Sequence, residues 1–310
     1  MPCIEKTILT GANFHVIFIQ ENLKEITMSV EQIKQSIGIK AAFSIIKKSE
    51  NPLAPVIEGL VNSLDAIKQR QDTGSDFLPI VTVSLFYQTG DLFSDSPKVI
   101  SSVSIEDNGI GFIPENLERL KSLGEKSKGL NNRGTGKIQI FDRFEKINIT
   151  SIVKENDRYK ELKISYDVND IFTQEIESIE GNDSQIKTIV RMDNFCGDKK
   201  EKELFHTFLT TSNAFKKEII KQLFLRLFLE KERGLTVHLK IFEDSVLKSE
   251  DSISGENIPA PEKIENIFIN KVHLADSDGP IKWNVVEDNI LTIRRFKMPM
   301  DDIDGNEVYL

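Results

Sequence analysis

The alternation of hydrophobic and polar positions predicts a mixture of helices and strands along most of the chain. Helical spacing of apolar residues is found at 29–48, 53–71 and 200–230, and shorter helices are expected to begin at Pro114 and near Lys137. Period-two or β-rich patterns predict strands at 80–87, 99–106, 146–153, 159–166, 186–192 and 235–242. Because strands and helices do not alternate strictly, the prediction is an α+β fold arranged as a two-layer sandwich.

Changes in composition predict four segments along the chain. Residues 1–28 mix short apolar runs with polar breaks and are expected to form a strand or strap. Residues 29–247 carry the helix and strand patterns of the main domain. Residues 248–263 are polar, contain glycine and proline, and are expected to be a linker or long loop. Residues 264–310 contain strand signals and are expected to begin a second α/β domain that is cut short.

Polar side chains form a stripe along the helix predicted for residues 53–71. At about 100° per residue, Glu58, Asn62 and Asp65 lie in one narrow arc opposite the apolar side chains. Such a stripe is typical of a surface helix with its polar side in water. The residue types also fit chemistry on a phosphate chain, since a Glu58 carboxylate can act as general base and an Asn62 oxygen can bind Mg²⁺.

A glycine motif follows the strand predicted for residues 99–106. Asp107, Gly109 and Gly111 form a D-x-G-x-G pattern at the end of that strand. A carboxylate at a strand end can accept a hydrogen bond from an exocyclic amine, and glycines allow backbone to pack closely on a ring. The same residue types are also common in an ordinary turn, so the motif alone leaves both interpretations open.

A second glycine motif precedes the helix expected near residue 137. Glycines before a helix expose backbone N–H groups, which together with nearby basic side chains favour an anion. The residues concerned are Lys126, Arg133, Gly134, Gly136 and Lys137. Residues 124–136 have little to bury and are expected to move as a lid, although a solvated basic loop has the same composition. Walker A and Rossmann spacings are absent from the sequence.

Taken together, the order and spacing of these motifs resemble the GHKL ATPase superfamily. That group includes DNA gyrase B, the ninety-kilodalton heat-shock chaperone, sensor histidine kinases, MutL and the MORC proteins. The resemblance covers about residues 29–242 and rests on E-x-x-x-N-x-x-D-A, then D-x-G-x-G, then a G-x-G before a helix. It implies the Bergerat ATP-binding fold, with ATP and Mg²⁺ as ligands.

The resemblance also implies roles for individual residues. Glu58 matches the base that activates water, Asn62 the Mg²⁺ ligand, and Asp107 the carboxylate that binds adenine. The remaining residues implied to bind ATP are Asp65, Ala66, Gly109, Gly111, Lys126, Arg133, Gly134, Thr135, Gly136, Lys137 and Thr188. The lid motif RGTGK lacks the aromatic residue of the chaperone and MutL versions and is more similar to large bacterial ATP-binding proteins, in which a transducer-like domain follows.

Composition narrows the choice of partners and compartment. The chain has 310 residues and a formal net charge of −9, which disfavours nucleic acid as the main partner. Two cysteines exclude a disulfide framework, and the scattered histidines do not suggest a metal site. No apolar run approaches the length of a membrane span, and no leader opens the chain, so a cytoplasmic protein is expected.

The resemblance implies an ATPase whose lid closure drives conformational change or ATP-dependent dimerisation of a larger protein with further C-terminal domains or partners. One alternative is a non-hydrolysing nucleotide-gated clamp, as in MutL or MORC proteins, acting in DNA repair or anti-phage defence. Another is the catalytic domain of a sensor histidine kinase, although the segment before Ser29 leaves no room for a phosphoacceptor domain. Glu58 favours hydrolysis over both alternatives.

Overall fold

The computed structural model describes residues 29–32, 49–89, 98–121, 136–167, 172–211, 213–261, 263–274, 283–296 and 308–309. The helices are α1 (Ala54–Asp72), α2 (Pro114–Lys121), α3 (Gly136–Phe141), α4 (Lys199–Thr210) and α5 (Ala214–Glu230). The strands of the large sheet are β1 (Ser29–Gln32), β2 (Ile80–Thr89), β3 (Lys98–Asp107), β4 (Phe144–Glu155), β5 (Arg158–Asp167), β6 (Phe172–Ile179), β7 (Lys187–Phe195), β8 (Thr236–Glu243) and β9 (Val246–Ile253). The remaining strands are β10 (Lys263–Leu274), β11 (Trp283–Phe296) and β12 (Val308–Tyr309).

The chain is a mixed α/β protein with a large mixed sheet. The strand order is β1-β6-β5-β4-β7-β3-β2-β8-β9, and neighbouring strands are antiparallel except for the parallel pair β2 and β8. The strands β3 and β7 therefore lie side by side at the middle of the sheet. Asp107, the last residue of β3, is paired in register with Thr188 of β7.

The hydrophobic core lies between the sheet and helix α1. On β2, Val81, Val83 and Leu85 are fully buried, while the alternate position Thr82 is half-buried. Helix α1 buries the apolar side chains Leu60, Leu64 and Ile67 and contacts β2, β3, α3 and α5. Burying a side chain of this size contributes roughly 1.5–3 kcal/mol, so α1 is held firmly with its polar stripe on the other side.

Two helix predictions are corrected by the structure. Residues 29–32 form the edge strand β1, which pairs with β6, so the helix predicted for 29–48 is wrong at its start. Pairing with β6 supplies the backbone hydrogen bonds that a helix would have supplied locally. The long helix predicted for 200–230 is two helices, because Asn213 adopts the left-handed conformation at φ 65° between α4 and α5.

The predicted linker at residues 248–263 is also wrong in its first half. Residues up to Ile253 belong to β9, which pairs with β8, and a 3-10 turn at Gly255–Asn257 follows. The segment is polar because β9 lies at the edge of the sheet with most of its side chains exposed, as is common for edge strands. The sequence analysis also missed strand β6, whose residues are mostly polar although it lies between β1 and β5.

Residues 263–309 contain a separate antiparallel sheet of β10, β11 and β12. The strand signals around Ile267 and Leu291 are confirmed, and these two residues are directly paired. The strap predicted for residues 1–28 lies outside the described residues, and the division into domains stays a prediction. Within the described part of the chain, no helix has the length and apolar character needed to cross a membrane.

Candidate nucleotide site

Helix α1 presents a carboxylate and an amide one turn apart. The helix begins after Asn51 and Pro52, and Pro55 lies in its first turn, where the missing N–H group costs nothing. Asn62 Nδ2 donates to Glu58 Oε1 at 3.3 Å. Glu58 is half-buried and Asn62 is exposed. Because the bond uses the amide nitrogen, the Asn62 carboxamide oxygen keeps its capacity to accept or to bind a cation.

Asp107 is a buried carboxylate at the end of β3. Its residue is only 4% exposed, and its oxygens accept bonds from Ser63 Oγ and from the Gly109 N–H, each at 2.9 Å. Burial raises the pKa of Asp107 from 3.8 to about 6, while the two hydrogen bonds oppose that rise. An aspartate in an ordinary surface turn would be solvated, so the burial distinguishes this residue from simple turn chemistry.

The Asp107 carboxylate retains unused acceptor capacity. An ionised carboxylate offers about four lone-pair positions. Ser63 and Gly109 occupy two of these among the described residues. A buried acceptor with spare capacity at a strand end is suited to a ligand that brings its own N–H donor.

The two glycines after Asp107 are required by close packing. A Cβ on Gly109 would lie 2.6 Å from the backbone carbon of Ala66, and Ile110 N donates to Ala66 O at 3.0 Å. Gly111 has φ 77°, and a Cβ there would lie 2.7 Å from Ser151 Oγ. The D-x-G-x-G turn therefore packs directly on α1 on one side and on β4 on the other.

Thr188 lies beside Asp107 and is bonded to a serine. The hydroxyls of Thr188 and Ser151 are 2.8 Å apart, and both side chains are buried. Ser151 Oγ also accepts from the N–H of Phe112, at 3.1 Å, just after the glycine turn. The structure therefore brings Thr188 to the same end of the sheet as Asp107 and the turn.

Asp65 and Ala66 lie one turn beyond Asn62 on α1. Ala66 contacts the glycine turn through its backbone, as described above. Asp65 forms an ion pair with Arg226 of α5, and both side chains are only partly buried. The first predicted motif is therefore divided, with Glu58 and Asn62 on one part of the helix and Asp65 directed toward α5.

The third predicted motif is only partly described. Lys126, Arg133, Gly134 and Thr135 lie outside the described residues, and Gly136 and Lys137 begin α3. Helix α3 packs against α1, and Gln139 Oε1 accepts from the backbone N–H of Ser49, which lies just ahead of α1, at 2.8 Å. The end of the lid motif thus adjoins the helix that carries Glu58.

Asn62 is the residue predicted to bind Mg²⁺. Among the described residues, no group of three or more His, Cys, Asp or Glu side chains is arranged to hold a metal ion. Mg²⁺ bound with a nucleotide usually takes one or two protein oxygens, with phosphates and waters as its other ligands. The exposed carboxamide of Asn62 beside Glu58 fits that kind of site.

Sequence analysis missed three residues of this region. Ser63 and Ser151 are small polar residues at buried positions, and Arg70 is a buried cation near the C-terminal end of α1. Each of the three occupies a position where the apolar pattern of its helix or strand predicts a hydrophobic residue. That mismatch was the only sign in the sequence of a buried polar group. Their partners lie far along the chain, so the sequence does not identify them.

Comparisons with known proteins do not place the chain in a family. No protein-family model matches it, and no significant match is found among curated proteins.

Proposed function

We propose that this protein binds ATP with Mg²⁺ and hydrolyses it as GHKL ATPases do, within a two-layer Bergerat fold. The observation that carries the proposal is the buried Asp107 carboxylate, held by Ser63 of the helix that also presents Glu58 and Asn62. Nucleotide binding would drive conformational change or dimerisation of a larger protein. The low cysteine content supports a cytoplasmic location.

Asp107 is the proposed receptor for adenine. The exocyclic amine of adenine donates hydrogen bonds, whereas guanine has a carbonyl oxygen at the same position. Asp107 has acceptor capacity left after Ser63 and Gly109 are bonded. The close packing at Gly109 and Gly111 keeps side chains out of the turn, and Thr188 with Ser151 supplies hydroxyls beside it. This arrangement supports adenine over guanine.

Glu58 and Asn62 are proposed to act at the phosphate end. Glu58 would accept a proton from the attacking water, and the Asn62 amide nitrogen orients the Glu58 carboxylate. Mg²⁺, held by the Asn62 oxygen, would neutralise phosphate charge when bound. The basic residues, the glycines and the threonine of the lid motif are proposed to contact the phosphates; they are Lys126, Arg133, Gly134, Thr135, Gly136 and Lys137.

Helix α1 would connect the two ends of the nucleotide. Ser63, which bonds Asp107, directly follows Asn62 in the sequence and points from the buried side of the helix. Glu58 and Asn62 lie toward its solvent-facing side. A rigid helix held by its apolar face can thus keep the adenine receptor and the base at a constant separation.

The proposal is tested by titration calorimetry with ATP and GTP in the presence of Mg²⁺. The unsubstituted protein is expected to bind ATP in preference to GTP. Asp107→Asn should weaken ATP binding at least about tenfold, because a charge-assisted bond contributes about 1.5–3 kcal/mol. Glu106→Gln is the matched control, since Glu106 precedes Asp107 on β3 and its side chain is 46% exposed. Equal ATP affinity in all three proteins would refute the proposal.

A further inference from the structure

Arg70 is a buried cation, and among the described residues its hydrogen bonds go to backbone carbonyls and not to a carboxylate. The residue is 5% exposed, and its guanidinium carbon lies 4.2 Å from the centre of the Phe77 ring. Burial lowers its pKa below the ordinary value. The nearby carboxylate of Asp183 bonds to Tyr159 and Lys154 instead. Burying such a charge costs free energy. We therefore ask what the contacts of the Arg70 guanidinium do for the structure.

The contacts of Arg70 are to backbone carbonyls on two segments. Its Nη1 donates to Asn108 O at 2.7 Å and contacts Ile186 O at 3.5 Å, and its Nη2 donates to Asp183 O at 2.8 Å. Asn108 lies between Asp107 and Gly109. Residues 183–186 lead into β7 and end just before Thr188. One side chain thus joins the turn after β3 to the segment before β7.

The Asn108 side chain holds the same turn from the opposite direction. Its Nδ2 donates to Leu78 O at 2.7 Å, and its Oδ1 accepts from Ile80 N at 2.9 Å. The Asn108 carbonyl is left for Arg70. With both contacts in place, the peptide that follows Asn108 is oriented so that the Gly109 N–H reaches Asp107.

We propose that Arg70 is a positioning residue for the adenine end of the site, a role that rests on the proposed function. By holding Asn108 and residues 183–186, it fixes Asp107 and Thr188 at one spacing. Arg70 acts through these backbone segments and does not itself take part in the reaction. The Arg70 Nε is buried and has no hydrogen-bond partner within the described part of the chain, which costs free energy.

The test compares Arg70→Met and Arg70→Lys with Arg143→Met. Arg143 is a matched control because it is equally buried, but it bonds to Asp142, Glu201 and Ser49 instead of to the backbone segments beside Asp107 and Thr188. Arg70→Met should raise the KM for ATP at least about tenfold while kcat stays within about threefold, since Glu58 is untouched. Arg70→Lys should give an intermediate KM, because lysine keeps the charge but loses the planar fork.

A second measurement does not depend on ATP. NMR titration of the Asp107 carboxyl carbon in each folded variant should show a higher pKa in Arg70→Met, because the Gly109 N–H bond that lowers it is loosened. Arg143→Met should leave that titration unchanged. A KM rise as large in Arg143→Met, a loss confined to kcat, or an unmoved titration of Asp107 in Arg70→Met would each overturn the inference.

The two proposals fail in different ways. If the unsubstituted protein neither binds nor hydrolyses ATP, the proposed function is refuted, and the carboxyl titration still decides whether Arg70 positions Asp107. If ATP is bound and hydrolysed but Arg70→Met has the same KM as the unsubstituted protein, Arg70 is structural only.

Discussion

Helices α1 and α5 carry nearly the same pair of side chains. On α1, Asn62 donates to Glu58 one turn earlier at 3.3 Å, and on α5, Gln222 donates to Glu218 one turn earlier at 2.8 Å. In both pairs the carboxylate is half-buried and the amide is exposed. By local pattern alone, either pair is an ordinary solvated contact between residues i and i+4.

The helices differ in what lies beside each pair. Ser63, the residue after Asn62, bonds to the buried Asp107, whereas Leu223, the residue after Gln222, packs in the core. Helix α5 instead contacts the edge strand β9, where Lys216 pairs with Asp251. A carboxylate–amide pair is therefore a candidate site only where the next residue joins it to a buried acceptor.

The largest expected effect separates the two glutamates. Glu58→Ala should lower ATP turnover by about 100-fold or more, the usual contribution of a general base, while Glu218→Ala should leave turnover within about twofold. ADP release is measured at saturating ATP for both variants and for the unsubstituted protein.

The glutamate comparison also separates the candidate functions. Tight ATP binding without glutamate-dependent turnover in the unsubstituted protein would indicate a nucleotide-gated switch. Equal loss in Glu58→Ala and Glu218→Ala would mean that the contrast between the two helices has no catalytic meaning.

The buried acceptor beside α1 should also give a pH-dependent stability. The pKa of Asp107 is raised from 3.8 to about 6 in the folded protein, so the folded state binds this proton more tightly than the unfolded state. The stability it confers is full below pH 3.8 and is lost as pH rises through about 6. At pH 7 the loss amounts to about 3 kcal/mol, on the order of 1.4 kcal/mol for each pH unit between the two values.

Asp107→Asn should remove this pH dependence. The amide can accept from the Gly109 N–H and donate to the Ser63 hydroxyl, so the variant should be more stable than the unsubstituted protein at pH 7 and nearly equal at pH 4. Urea unfolding between pH 4 and pH 7 measures the difference, with Asp251→Asn beside α5 as a parallel control. A difference in the free energy of unfolding that stays constant across that range would contradict a raised pKa for the buried Asp107 carboxyl group.

Local patterns predicted much of the fold but not the contacts that define the site. The helix at 53–71 and the strand at 99–106 were predicted because their apolar periodicity is strong, and the structure confirms both, with the strand extending to Asp107. Edge strands β1 and β9 were missed because a strand exposed at an edge does not need an apolar face. Strand β6 lies between β1 and β5 and was missed because most of its residues are polar. Ser63 and Asp107 are far apart in sequence, and no local signal shows that they are bonded.

Removing the Ser63 hydroxyl, which connects α1 to Asp107, should have a smaller effect than removing the Glu58 carboxylate or the Asp107 charge. Ser63→Ala should weaken ATP binding by about tenfold, because it removes one hydrogen bond to a buried carboxylate and raises its pKa. Ser84→Ala removes another buried serine hydroxyl, on β2, and should leave affinity unchanged. Calorimetry with ATP measures both variants, and equal affinities would show that Ser63 only fills space.

The smallest effect concerns the direct contact between the two helices. Asp65 of α1 and Arg226 of α5 form an ion pair whose side chains are 23% and 35% exposed. Because water screens such a pair, a double-mutant cycle with Asp65→Asn and Arg226→Met should give a coupling of about 0.5–1 kcal/mol in the free energy of unfolding.

The pair of Lys216 with Asp251 provides the matched cycle, because it joins α5 to β9 and its side chains are comparably exposed. If the two ion pairs have similar coupling energies and Arg226→Met leaves ATP affinity unchanged, the pair of Asp65 with Arg226 only stabilises the packing of α5 on α1. A coupling above about 2 kcal/mol, or an ATP affinity that falls in Arg226→Met, would contradict that. In that case α5 would contribute to the site through Asp65, and the contrast between the two helices would be one of degree.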